Sequence, residues 1–316
     1  MSKKVLITGG TGFAGSHLAQ LLRCDAGIEL HLTHMSPVKE EIISLLGETV
    51  QYHQVDLQDS AAVTQLFQTV QPDEVYQLAS AAAVGKSHEH ALRVLTMNQT
   101  IAANVLESVR VETPHAKVVL ISSAEVYGIS QPEELPITED HPLRPANPYG
   151  VSKVAQDLLA GVYARSFNLH IVIARPFNHV GERQESGFVV PDFTQQVIKI
   201  EQGAQEKMRV GNLETKRDFS DVTDVVAAYA LLMVKGKPGE VYNIGSGVAY
   251  SMQEVVDMLR AQSQVKIDLE VEEARLRPAD IPIMQADARK IRALGWEPQS
   301  TLEAALTRVV RYWRGN

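Results

Sequence analysis

The first fifteen residues constrain the fold most tightly. An apolar run, Val5–Thr8, breaks into Gly9-Gly10-Thr11-Gly12-Phe13-Ala14-Gly15, and a helical pattern follows over Gly15–Leu22. Gly10, Gly12 and Gly15 fit the spacing G-x-G-x-x-G, while Gly9, Gly12 and Gly15 fit G-x-x-G-x-x-G. Glycine here permits a tight turn, lets backbone approach a pyrophosphate and allows close helix–strand packing. The N–H groups at the helix start then face the anion, aided by the helix dipole. A strand–helix turn without a ligand can use the same residues, but this place, after the first strand of a βαβ unit, favours dinucleotide binding. The expected contacts are Gly9, Thr11, Gly12, Phe13, Ala14 and Gly15.

The turn opens a regular rhythm. Val5–Thr8, Glu29–Thr33, Val50–Val55, Glu74–Leu78 and Lys117–Ser122 read as strands. Gly15–Leu22, Val38–Leu46, Ala61–Val70 and Ala91–Val109 between them have helical spacing. Such alternation predicts an α/β fold, a doubly wound parallel Rossmann sheet with helices on both faces. Tyr149–Phe167 reads as a further helix and Leu169–Arg175 as a further strand. The rhythm then loosens through Pro191–Gln202, Val222–Lys235, Val241–Ile244, Ser251–Gln262, Ile267–Val271 and Leu302–Trp313. We therefore expect a dinucleotide-binding domain over 1–175, with an interleaved segment at about 215–245. Residues 176–316 should form a smaller mixed α/β substrate lobe, with Trp296 in its core.

Charge and composition narrow the partners. The 30 basic residues against 38 acidic ones give −8 net, so nothing attracts nucleic acid or anionic lipid in general. The longest apolar run, Val225–Val234, is about half the ~20 residues that span a bilayer. Gly9 and Gly10 cut the N-terminal apolar run too early for a signal peptide. A single cysteine, Cys24, excludes an intrachain disulfide and suits a reducing compartment. The expectation is a soluble cytoplasmic protein with no nucleic-acid or membrane partner. Ser87-His88-Glu89-His90 spaces its histidines at i, i+2, which do not share a helix face, so no metal site is expected.

Two further segments carry chemistry. NAD binding predicts an acid about 20 residues past the glycine turn, on the ribose 2′-hydroxyl. Leu32-Thr33-His34-Met35-Ser36 has none, which favours NADP(H) and leaves NAD(H) possible; Lys39 is the nearest cation. Asp56 and Leu57, at a strand end, are candidates for the adenine. Tyr149-Gly150-Val151-Ser152-Lys153 puts Tyr and Lys on one helix face. A phenol with pKa of about 10 is a poor acid–base catalyst at neutral pH, and a nearby ammonium favours its ionisation. Ser122-Ser123-Ala124-Glu125-Val126-Tyr127-Gly128 closes the fifth strand, at the sheet edge where ligands bind, and Ser123 can hydrogen-bond a substrate oxygen beside Tyr149.

With the TGxxGxxG turn, the SSxxVYG segment and the YxxxK pair in this order, the whole chain resembles the extended short-chain dehydrogenase/reductase family. The resemblance implies a catalytic Ser123, Tyr149 and Lys153. It also implies cofactor contacts from Leu78, Ala79, Ser80, Asn98 and Arg175, with Tyr149 and Lys153. Long helices over 91–109 and 149–167 form a dimer's four-helix bundle in that family, so it implies a homodimer.

The second half resembles the GDP-4-keto-6-deoxy-D-mannose reductases, which make GDP-D-rhamnose. The segments are Arg175-Pro176-Phe177-Asn178-His179, Gly187-Phe188-Val189, Val210-Gly211-Asn212-Leu213, Arg217-Asp218-Phe219 and Leu276-Arg277-Pro278. This implies a GDP-sugar held by Ser123, Glu125, Asn178, Phe188, Val189, Arg217 and Arg277. Guanidinium forks at Arg217 and Arg277 suit a diphosphate, although arginine is commonly a surface salt-bridge partner. The GDP-mannose 4,6-dehydratases share much of this set, and there a Glu at the position of Glu125 abstracts the C5 proton. The run Arg175–Val180 followed by Gly181-Glu182-Arg183-Gln184-Glu185-Ser186 leans to the reductase, with dehydratase, 4-epimerase and a non-catalytic NADP-binding regulator behind it.

Overall fold

The computed structural model describes residues 2–81, 87, 89–273 and 281–315. His88 and the expected ligand Arg277, with Leu276 and Pro278, lie outside the described residues. Strands β1 (Lys3–Thr8), β2 (Ile28–His34), β3 (Gln51–Gln54), β4 (Glu74–Gln77), β5 (Lys117–Ile121) and β6 (Ile171–Pro176) alternate with helices. The helices are α1 (Phe13–Leu22), α2 (Glu40–Leu46), α3 (Ser60–Val70), α4 (Ala91–Glu112) and α5 (Pro148–Ser166). All six strands fall on the segments read from sequence. β1 is buried from Val5 onward, β5 from Val118 onward and β6 throughout, because strands covered on both faces bury side chains of both parities. Local signals set the helix starts. Asp59 accepts from the Ala61 and Ala62 amides to cap α3, and Asn147 caps α5 ahead of Pro148.

Beyond β6 come β7 (Asn178–Val180), α6 (Val189–Glu201), β8 (Lys207–Val210), β9 (Lys216–Asp221), α7 (Val222–Lys235) and β10 (Val241–Ile244). Then follow β11 (Ala249–Ser251), α8 (Met252–Arg260), β12 (Asp268–Val271), β13 (Ile283–Met284), α9 (Arg289–Arg292) and α10 (Leu302–Gly315). Among the described residues the large sheet has seven parallel strands in the order β10-β6-β5-β4-β1-β2-β3. The order reverses between β1 and β4, the switch point where such sheets open a ligand crevice at their carboxyl edge.

The second half interleaves. β9 pairs with β7, β11 and β13 in a small sheet, and the chain returns to the large sheet at Val222. α7 packs its Val222, Val225, Tyr229 and Leu232 into the same core as residues of β1 and β2. Trp296 joins that core, donating its Nε1–H to Asp224 O at 2.9 Å, and so does not belong to the small lobe as its place in the sequence suggested. A separate core gathers Phe193, Val197, Met208, Phe219, Val256, Leu306 and Val309. No described helix is long and apolar enough to cross a membrane, and Cys24 is exposed.

Candidate active site

The glycine turn is built as a cradle. Gly9 has φ +66° and donates its N–H to Thr33 Oγ1 at 3.0 Å. A Cβ on Gly15 would stand 2.3 Å from Gly9 O and 2.8 Å from Gly10 Cα. The spacing 9/12/15 therefore carries the turn. Gly10 serves clearance instead, since a Cβ there would meet Leu32 Cδ2 at 2.7 Å. Gly12 is the N-cap of α1 and its position offers no side-chain cap, so the first-turn amides are left to another acceptor. An anionic diphosphate matches those amides in charge and hydrogen bonding. Thr11 belongs to the turn, Phe13 opens the helix, and Ala14 packs on the core. The Phe13 ring lies nearly parallel to that of His179, 5.6 Å between centroids and 10° between planes.

Neighbouring strand ends close the crevice. Thr8 Oγ1 accepts from the amides of Leu78 and Ala79, both at 3.1 Å. Asn98 on α4 accepts from the Ala81 amide at 2.7 Å and donates to Ser152 Oγ at 2.9 Å, tying the exit of β4 to α5. Leu57 is buried, whereas Asp56 turns back to accept from the Gln58 amide at 2.9 Å. Past the end of β2, Lys39 pairs with Glu185 at 2.8 Å.

Ser123, Tyr149 and Lys153 converge as the sequence predicts. The Tyr149 phenol is buried, and the hydroxyls of Ser123 and Ser80 are near enough to favour its ionised form. Ser123 Oγ also accepts from the Glu125 amide at 3.2 Å. Lys153 Nζ lies 5.7 Å from the centre of the Tyr149 ring and donates to Ile121 O at 2.9 Å. Electrostatics depart from expectation. Burial first, and the Glu125 charge second, push the Tyr149 phenol well above its ordinary range, with Ser123 and Ser80 opposing. Burial also lowers Lys153 to about 8, partly offset by Asp157. The ammonium donates to a backbone carbonyl, and burial dominates the titration of the phenol.

Arg175, expected to contact the cofactor, is engaged with the protein frame through Nε and Nη1. It is buried on β6, its Nε 2.6 Å from Asp157 Oδ2, and its Nη1 donates to Tyr127 Oη at 2.9 Å and Glu139 O at 3.2 Å. A buried guanidinium needs its carboxylate, and this one spends its donors on the protein frame.

The substrate-side residues share a cavity of about 260 Å³. Glu125, Asn178, Phe188, Val189 and Arg217 all line it, with His179, Gln184 and Thr215. Arg217 also donates from Nη1 to Ile281 O at 2.7 Å, which anchors its guanidinium. One contributor escaped the sequence reading, His179 between Phe13 and the cavity, while Ser80, expected at the cofactor, also stands near Tyr149. The histidine was legible only as the neighbour of Asn178. Nothing local to Ser80 signals that it stands near a tyrosine so distant in the chain.

A glycine cradle at the switch point, with a serine past the end of β5 facing a tyrosine and a lysine on α5, defines an oxidoreductase of the extended short-chain dehydrogenase/reductase class. The model of the family described as GDP-mannose 4,6 dehydratase matches residues 6–309. A GDP-6-deoxy-D-mannose reductase of Pseudomonas aeruginosa is 30% identical over 316 residues, covering 99% of this chain and 98% of that protein. The structure of RMD from Pseudomonas aeruginosa complexed with NADPH superposes with a TM-score of 0.86, 29% identity and 99% of both chains covered. A UDP-glucose 4-epimerase of Thermus thermophilus, complexed with NAD, gives a TM-score of 0.89, 28% identity and 99% of both chains covered. The chain belongs to the GDP-mannose 4,6-dehydratase family.

Proposed function

We propose that the chain uses NADPH, with NADH possible, to reduce the C4 ketone of a nucleotide-4-keto-6-deoxyhexose, namely GDP-4-keto-6-deoxy-D-mannose to GDP-D-rhamnose. The observation that carries this is the cavity shared by Glu125, Asn178, Phe188, Val189 and Arg217, whose Glu125 sits in the same turn as Ser123. The likeness to a reductase named for a GDP-6-deoxy-mannose, at nearly full length on both sides, supports the sugar and the base.

When bound, the dinucleotide supplies a hydride for the carbonyl carbon. Tyr149 delivers its proton to the developing alkoxide. A phenol that burial keeps protonated is fully loaded for that step. Ser123 hydrogen-bonds the same oxygen and stabilises its charge. Lys153, protonated below about pH 8, offers its ammonium to the ribose side of the crevice. Arg217 and Arg277 chelate the diphosphate, Asn178 contacts the sugar side, and Phe188 and Val189 flank the base.

One observation favours a second reading. Glu125 lines the same cavity, and a 4,6-dehydratase needs a carboxylate there as its proton-abstracting base. The test offers GDP-mannose alone, then GDP-4-keto-6-deoxymannose with NADPH, with products identified by NMR. Oxidation of NADPH only with the second supports the reductase; turnover of the first without added reductant replaces it with the dehydratase. We also propose a homodimer through α4 and α5, which expose Leu92, Val111, Leu158 and Val162. A monomer by light scattering would reject that.

A further inference from the structure

The turn after β5 and the start of α5 meet at Glu125, which makes one contact within the turn and two across to the helix start. Its amide donates to Ser123 Oγ at 3.2 Å. Its carbonyl packs so closely on α5 that a Cβ at Gly150 would sit 2.6 Å from it. Its carboxylate Oε2 accepts from Asn147 Nδ2 at 2.6 Å. Asn147 meanwhile uses its other side-chain atom, Oδ1, to accept from the Gly150 amide at 2.8 Å, capping the helix that carries Tyr149 in its first turn. One side chain thus ties the opening of the tyrosine helix to the acid of the sugar cavity.

We infer that Asn147 is the positioning residue for Glu125, holding that carboxylate in register with Tyr149 so that one oxygen is anchored and the other is left for the ligand. A glutamate at a cavity wall has several rotatable bonds and would sample several directions. Anchoring Oε2 at the helix cap removes that freedom. The work left to Oε1 is to accept a hydrogen bond from a sugar hydroxyl, or a proton from the carbon beside a ketone. Both demand aim within a fraction of an ångström. The inference deepens the proposed function and rests on it in one respect, that a nucleotide sugar fills the cavity.

Substitutions at Asn147 separate the two roles. Serine and aspartate are both good N-caps. Asn147→Ser keeps the cap and deletes the donor to Glu125; Asn147→Asp keeps the cap and sets a carboxylate against a carboxylate. Both variants are expected to melt near the wild-type temperature and to retain dinucleotide affinity. For the nucleotide sugar, kcat/KM should fall about tenfold or more in Asn147→Ser, the scale of a lost hydrogen bond to a charge, and further in Asn147→Asp. In a Glu125→Ala background, Asn147→Ser should add less than about twofold, since the group it positions is gone. Equal losses in both backgrounds would make Asn147 a plain cap and overturn the inference, as would wild-type kcat/KM in Asn147→Asp. The cycle is run on whichever nucleotide sugar the wild-type chain turns over. A failed reductase reading therefore appears as a different substrate, and a failed inference as an additive cycle.

Discussion

Gly12 and Gly15 lie in the same turn, yet alanine at each should fail differently. At Gly15 the new Cβ would face Gly9 O at 2.3 Å and Gly10 Cα at 2.8 Å, both backbone atoms of the turn itself. Neither can swing aside, so α1 must shift. Overpacking of that kind costs ~1–3 kcal/mol. At Gly12 the backbone is ordinary for alanine, φ −75° and ψ −177°, and the nearest neighbour of a Cβ is Gly9 O at 3.3 Å. Gly12→Ala should cost less than Gly15→Ala, about 1 kcal/mol or below, because alanine is a poorer N-cap than glycine and its Cβ meets Gly9 O at 3.3 Å rather than 2.3 Å. Its methyl would project where a diphosphate must reach the first-turn amides. Loss of one charge-assisted hydrogen bond there weakens dinucleotide binding about tenfold or more. Melting by circular dichroism and NADPH titration by calorimetry read the two effects apart. Gly15→Ala should lose both, with about 2–4 °C for each kcal/mol. A Gly12→Ala chain that binds NADPH with wild-type affinity would refute the cradle.

Other expectations follow from the same geometry. Tyr149→Phe should keep dinucleotide binding and cut turnover by ~10²–10⁴-fold, measured by NADPH oxidation; unchanged turnover removes Tyr149 from the chemistry. Arg217→Ala should mainly raise KM for the nucleotide sugar, with kcat little changed, and a normal KM would confine Arg217 to its backbone contacts. Burial lowers Lys153 to about 8 in the fold, so kcat/KM should decline above that pH as the ammonium is lost, and Lys153→Arg should move the decline upward. Between about pH 8 and the ordinary lysine value of 10.5, the unfolded chain holds a proton that the folded lysine has released. Stability attributable to Lys153 therefore rises with pH across that window; urea midpoints for wild type and Lys153→Met that run parallel there would contradict it.

Sequence by itself determined whatever is periodic or local. Strands inside a covered sheet need apolar runs and the helices between them need a buried stripe, so β1 to β6 and α1 to α5 were legible. The glycine turn and the i, i+4 pair of Tyr149 and Lys153 were legible for the same reason. The short strands β7, β11 and β13 carry too few residues to show a period, and only pairing with β9 makes them strands. Tertiary structure also decided which glycines strain the turn, and it drew Trp296 into the large core. It gave Arg175 to Asp157 and Tyr127, and Asn147 to Glu125. Each of these is a contact between residues apart in the chain, or a clearance between backbone segments. A spacing rule registers which residues recur, but only the folded path sets which distant atoms come within hydrogen-bonding reach of one another.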